Sequence, residues 1–203
     1  PELVSSFDCV PDNYFVTDVV VQGDYVYCSC SFDGLRILNI SDPYNIEQVV
    51  HYDPGNFRSF EIEIVGDVAF VAGYGNTMDI INISDPTAPT AIVTYDPYPG
   101  GYFVYGIEVE GNYAYLCMDD LGVEIVNITD INSPTYVSTI YNATYSGPYE
   151  DIGVYGNYCC VAVDGHAVLY VNLTDITSPW VHRISSATTS PHTVFVGENY
   201  KYL

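Results

Sequence analysis

Five positions spaced 43, 45, 45 and 41 residues apart are where chemistry could first gather in this sequence: Asp18, Glu61, Gly106, Asp151 and His192. Three carboxylates and an imidazole brought to one axis by a repeating structure would offer the oxygen-rich environment that holds Ca2+. Asp18, Glu61, Asp151 and His192 are therefore candidate metal ligands. Gly106 interrupts the ring and no D-x-D-x-D-G loop is present. Each acid thus has a plainer alternative use, capping its own strand or bonding a neighbouring loop.

A second recurrence concerns asparagine. Asn39-Ile40-Ser41, Asn82-Ile83-Ser84, Asn127-Ile128-Thr129 and Asn172-Leu173-Thr174 are all N-x-[ST] without proline, and Asn142-Ala143-Thr144 adds a fifth. That pattern is the acceptor for N-linked glycans in an exported protein. The competing use of such an asparagine is to end a strand and bond the turn that follows. A third group lies in loops rich in Tyr, Pro and Gly, at residues 52–57 and 95–103. Tyr52, Asp53, Tyr95, Asp96, Tyr98 and Tyr102 set aromatic rings beside carboxylates, which suits sugar stacking or protein contact as well as plain loop packing. Catalytic patterns are missing. The histidines His51, His166, His182 and His192 fall at unrelated places, and neither a G-x-S-x-G elbow nor a P-loop appears. Paired acids in so acidic a chain are unspecific. The chain reads as non-catalytic.

These positions are set by one phrase written four times. Leu35-Arg36-Ile37-Leu38-Asn39-Ile40-Ser41-Asp42 returns at residues 78–85, 123–130 and 168–175. Each copy is preceded by two apolar runs joined at a Gly-Asp or Gly-Asn pair (Gly23, Gly66, Gly111 and Gly156), the signature of a tight hairpin, and Gly197-Glu198 repeats the pair after the last copy. A second turn leads into the phrase, a proline-rich turn follows it, and a fourth apolar run closes the unit. Four short antiparallel strands in about 44 residues make one β-propeller blade. A β-solenoid would use shorter coils without the paired hairpins. The expected class is all-β, a propeller of four complete four-stranded blades with partial blades at both ends. The blades span residues 16–52, 59–95, 104–141 and 149–185, residues 1–8 form an outer strand of a preceding or closing blade, and residues 192–203 begin a fifth. In that arrangement the acids above line the central channel, the four registered asparagines ring one rim, and Asn142 lies toward a different edge. The register of the ends points to a segment of a longer repeat protein.

Gly34-Leu35-Arg36-Ile37-Leu38-Asn39-Ile40-Ser41-Asp42-Pro43 resembles the LVIVD repeat, whose pattern is roughly G-L-x-I-V-D-I-S-D-P, and Gly111-Asn112-Tyr113-Ala114-Tyr115-Leu116-Cys117 is similar to the segment that precedes it. The resemblance covers essentially the whole chain. It implies a propeller found in secreted and surface proteins of archaea and bacteria, and little about activity. The family's usual Asp is Asn in all four copies here, which is what creates the sequons.

Composition narrows the partners. Twenty-six acidic residues stand against four basic ones, Arg36, Arg58, Arg183 and Lys201, for a net charge of −22. Nucleic acid is a poor partner for such a surface, which favours cations or basic proteins instead. No apolar stretch of 18 residues is present to insert in a membrane. Five of the six cysteines (Cys28, Cys30, Cys117, Cys159 and Cys160) fall in one repeating strand, where other copies carry Val, Ala, Leu or Tyr, so they read as small buried hydrophobes; a bridge from Cys9 is the alternative. Taken together, the sequence predicts an extracellular or cell-surface, N-glycosylated module with a structural, adhesive or sheath-forming role. Its partners would be copies of itself or surface proteins and glycans, and it requires no cofactor. An unpaired outer strand and an unfinished blade could pair head to tail between copies. The rival expectation is a ligand-binding, Ca2+-binding or enzymatic propeller working at an acidic, tyrosine-rich channel mouth.

Overall fold

The computed structural model describes residues 5–8, 15–53, 59–75, 77–96, 103–144, 147–165, 167–186, 191–196 and 201–202. Every regular element among them is a strand. Blade 1 is β1 (Asp18–Gln22), β2 (Tyr25–Ser29), β3 (Leu35–Asn39) and β4 (Glu47–Tyr52). Blade 2 is β5 (Ser59–Val65), β6 (Val68–Gly73), β7 (Met78–Asn82) and β8 (Thr90–Tyr95). Blade 3 is β9 (Val104–Glu110), β10 (Tyr113–Met118), β11 (Gly122–Asn127) and β12 (Thr135–Ile140). Blade 4 is β13 (Tyr149–Tyr155), β14 (Tyr158–Val163), β15 (Ala167–Asn172) and β16 (Trp180–Ser186). A short pair, β17 (Phe195–Val196) and β18 (Lys201–Tyr202), follows. Within each blade the strands are antiparallel and in sequence order.

The local causes are repeated with the sequence. The first hairpin of each blade closes on two residues, as where Val65 pairs with Val68 around Gly66-Asp67. Gly66 has φ +59° and Asp67 does not share its positive sign. That combination is a type II′ turn, whose twist matches the flanking strands and whose first central position wants glycine. The turn then anchors the third strand, because the Asp67 carbonyl accepts from the Ile83 amide at 2.8 Å, and the same bond recurs in the other three blades. Each outer turn begins with an aspartate whose carboxylate accepts from the amide two residues on (Asp42, Asp85, Asp130, Asp175), as aspartate does at the start of a β-turn.

Blade 2 is covered on its two faces by blades 1 and 3, and blade 3 by blades 2 and 4, so their strands read as nearly continuous apolar runs. Tyr27, Leu35 and Ile37 of blade 1 pack against Ile62, Val71 and Ile81 of blade 2. Phe70, Met78 and Ile80 of blade 2 meet Ile107, Leu116 and Val126 of blade 3, and Tyr115, Ile125 and Ile140 of blade 3 meet Ile152, Val161 and Leu169 of blade 4. The first strands of successive blades, β1, β5, β9, β13 and β17, touch in turn, so the inner edges converge on one axis. Cys28, Cys30, Cys117, Cys159 and Cys160 are buried in these sheets, while Cys9 lies outside the described residues.

The expected outer strand at residues 1–8 falls in part outside the described residues. Residues 1–4 lie outside the described residues and residues 5–8 carry no strand. Ser5 donates its hydroxyl to the Pro43 carbonyl at the outer turn of blade 1, 2.6 Å away.

Candidate functional site

The inner strands carry one device that reshapes the channel. In β5, β9 and β13 the pairing slips by one residue, leaving Phe60, Tyr105 and Glu150 as extra residues just before Glu61, Gly106 and Asp151. A β-bulge of this kind re-aims side chains at the edge of a sheet. Each blade then offers two adjacent residues to the mouth: Thr17-Asp18, Phe60-Glu61, Tyr105-Gly106 and Glu150-Asp151, joined by His192-Thr193 from the segment before β17. All of these except Gly106 line one cavity of about 350 Å3. The structure thus brings Asp18, Glu61, Asp151 and His192 together.

Three of these carboxylates also join blades. Asp18 Oδ2 accepts from the Ile62 amide at 3.1 Å, Glu61 Oε2 from Ile107 at 2.7 Å and Asp151 Oδ2 from Val194 at 2.7 Å. Each acid therefore latches the first strand of the next blade, close to the loop-bonding use anticipated for it, but reaching between blades. Gly106 is the position with no acid. A Cβ built there would sit 2.6 Å from the Glu150 carbonyl, 3.1 Å from the Asp151 Cα and 3.1 Å from Glu61 Oε2, so the backbones of blades 3 and 4 meet where a side chain would be.

Deeper in the channel stand Glu63 and Glu108. Burial and the neighbouring carboxylates push these groups upward together. Glu61 rises to about 9, through desolvation first and Asp151 second, and Glu108 to about 8, through desolvation and then Glu63. Asp151 rises to about 6 through desolvation, opposed by the amides of Val194 and Ile152. Glu63 and the Tyr105 phenol move up as well, desolvation leading in both. Crowded carboxylates in a partly dry channel hold protons near neutral pH. Beneath them the buried Cys117 thiol is raised by desolvation and then by Asp151 and Glu61, which keeps it an unreactive thiol. Phe60 packs edge-on to Phe103 with ring centres 5.5 Å apart, and Phe103 stacks on Tyr105 at 5.5 Å, so an aromatic ledge flanks the acids.

The tyrosines of the loop face have other partners. The Tyr95 hydroxyl donates to Glu124 Oε1 in blade 3, and Glu124 is fully buried. The second oxygen of Glu124 meets no hydrogen-bond partner among the described residues, and burial raises this carboxyl against the pull of Tyr95. Tyr52 stands in the same register of blade 1, its phenol raised by burial and by Asp79 of blade 2. At the third junction the tyrosine is Ile140 and the acid is Leu169, both buried in one cluster. The brace is thus polar at the first two junctions and apolar at the third, both members changing together. Tyr95→Phe removes the donor from a buried carboxylate and lowers stability by about 2 kcal/mol, whereas Tyr95→Ile with Glu124→Leu recovers most of that loss; urea unfolding of the two variants checks the difference. Asp53 and Asp96 are exposed beside this face, and Tyr98 and Tyr102 lie outside the described residues.

The five sequon asparagines share one geometry. Oδ1 of Asn39, Asn82, Asn127, Asn172 and Asn142 accepts from the amide of residue 41, 84, 129, 174 or 144, at 2.8–3.0 Å. Their turn-bonding use is therefore present in every copy. Asn39 pairs with Tyr25 beside the Gly23 hairpin, while Asp18 pairs with Ser29 at the far end of the blade. The four registered asparagines accordingly ring the face opposite the acidic mouth, whereas Asn142 follows β12 on the mouth side.

Some of the site was not singled out from sequence. Phe60, Tyr105 and Glu150 enter through bulges, which leave no mark in the residue pattern. Glu63 and Glu108 did leave one: each is an acid with an apolar residue on either side, two positions after the ring.

A family model described as LVIVD repeat matches residues 15–53, 58–97, 103–142 and 146–179. No curated protein matches the chain. Among solved structures, the computationally designed Ika8 protein superposes with a TM-score of 0.70 at 8% identity, over 91% of this chain and 53% of that one. The designed Ika4 protein gives 0.65 at 9% identity, over 85% of this chain and 98% of its own. The β-propeller domain of Myceliophteria thermophila Cps50 (Swd1) gives 0.67 at 8% identity, over 85% and 59%. This chain therefore spans a little over half the length of Ika8 and of the Cps50 domain. The likeness is one of fold.

Proposed function

We propose that this chain, which belongs to the LVIVD-repeat family, is a non-catalytic, N-glycosylated propeller of the cell surface or extracellular space with a structural, adhesive or sheath-forming role. The observation that carries this reading is the ring of four sequons. All four asparagines end the third strand of a blade, use Oδ1 in the same turn, and are followed two residues on by an exposed Ser or Thr. Their Nδ2 atoms, where a glycan would attach, make no hydrogen bond to a described residue. Glycans on that rim would cover one face and leave the acidic mouth open to a partner, a neighbouring copy or a surface protein or glycan. The non-catalytic part is supported by the protonated, buried Cys117 and by His192, whose imidazole bonds Glu150 and, among the described residues, no nucleophile.

Intact glycopeptide mass spectrometry of the protein from its native source tests the reading. At least two of Asn39, Asn82, Asn127 and Asn172 are expected to carry glycan; four bare asparagines would overturn it. A second reading, ligand or cation binding at the mouth, is favoured by the convergence of Asp18, Glu61, Glu150, Asp151 and His192 on one cavity.

A further inference from the structure

We infer that Glu150, Asp164 and His192 form a divalent metal site of the imidazole-and-carboxylate type, beside the channel mouth. One ligand atom from each lies within 4.8 Å of the other two, and His192 Nδ1 is 3.2 Å from Glu150 Oε2. These residues come from three separate segments: the bulge of β13, the turn after β14 and the stretch before β17. Two hydrogen bonds hold those segments in place. The Asp164 amide donates to the Pro148 carbonyl at 2.9 Å, and the Val194 amide donates to Asp151 at 2.7 Å. The ligands thus sit on braced backbone, as a metal site requires.

Charge and access agree with this assignment. Two carboxylates face one imidazole, and Asp18, Glu61 and Asp151 crowd the same cavity, which Glu150 and His192 both line. A cation there relieves repulsion, and the cavity leaves coordination positions open to water or to an oxygen of a partner. The donor set also discriminates. Ca2+ prefers six to eight oxygens, whereas two carboxylate oxygens and one imidazole nitrogen suit Zn2+, Co2+ or Mn2+. Ligand atoms about 2.1 Å from zinc in a tetrahedral site stand about 3.4 Å apart, which the Glu150–His192 pair already approaches and Asp164 completes by turning inward. This departs from a calcium ring of Asp18, Glu61, Asp151 and His192, since only His192 is common to the two sets. It does not depend on the glycans.

The test is calorimetry of Zn2+, with Co2+ absorption as the reporter of geometry, on the whole chain after chelator treatment. One metal per chain is expected, with Co2+ bands of low coordination number that Zn2+ abolishes. His192→Gln and Asp164→Asn, made separately and checked for unchanged melting without metal, each weaken Zn2+ by at least about tenfold, the smaller end of what disturbing a ligand shell costs. No binding, binding of equal strength in both variants, or Ca2+ binding in preference to Zn2+ and indifferent to His192→Gln would overturn the site.

Discussion

The melting temperature of this propeller is expected to be highest near pH 4 and to fall as the pH is raised to 9, and Glu61→Gln is expected to remove much of that fall. The sign follows from the channel. Glu61, Glu108 and Asp151 have folded pKa values near 9, 8 and 6, all above the values of about 4 that carboxylates take in an unfolded chain. The folded state therefore binds more protons across this window, and stability declines as each proton is lost. Their contribution is complete below about pH 4, and it disappears as the pH rises through 6, then 8, then 9. Each group costs about 1.4 kcal/mol per pH unit while the two states differ in its protonation. At about 2–4 °C per kcal/mol for a domain of this size, the drop from pH 6 to 9 is of the order of 10 °C. Asp85 and Asp175 act in the opposite sense, since the hydroxyls of Thr87 and Thr177 hold them low, but theirs is an effect of strong acid only.

Glutamine at 61 keeps an oxygen for the Ile107 amide and has no charge to lose. The variant should match the parent near pH 5 and melt several degrees higher at pH 8.5. Scanning calorimetry at both pH values decides it. A profile for the parent that is flat or rising between pH 5 and 9 would mean that the channel carboxylates are open to water.

A large loss from a single methyl group is expected at Gly106→Ala, where the clash is between blades. The added carbon would lie 2.6 Å from the Glu150 carbonyl, and neither that backbone nor the Asp151 Cα at 3.1 Å can move without parting blades 3 and 4. Overpacking of this kind costs about 3 kcal/mol or more. Gly111→Ala is the matched control. That residue has φ +60°, yet nothing stands within 4 Å of its missing Cβ, so only the left-handed backbone is penalised, by about 1 kcal/mol. Urea midpoints of the two variants should differ accordingly. Equal losses would show that the first strands of blades 3 and 4 are not in contact at this level.

The blade was legible because its signals are local. A hairpin glycine, an aspartate opening the outer turn and a set of short apolar runs recur about every 44 residues, and each has one cheap backbone solution. The column Asp18, Glu61, Asp151 and His192 was legible for the same reason, since equal register puts equal positions at equal depth. What was hidden depends on neighbours distant in the chain. Gly106 looks like a gap in a ring and is instead the point where two backbones touch. Tyr95 looks like a solvent-facing loop residue, but its hydroxyl turns inward to Glu124, 29 positions away. Glu150 lies next to a ring position, and only the slipped pairing of β13 puts both residues at the mouth. Asp164 reads as an ordinary turn aspartate until His192 arrives beside it from the following repeat.

The most direct measurement is a cryo-electron-microscopy map of the natively produced, glycosylated protein. It should show glycan density at Asn39, Asn82, Asn127 or Asn172 on one face of the propeller, with Asp18, Glu61 and Asp151 converging on a cavity at the other. Glycans and channel acids on the same face, or copies of the repeat coiled into a solenoid with no common axis, would contradict it.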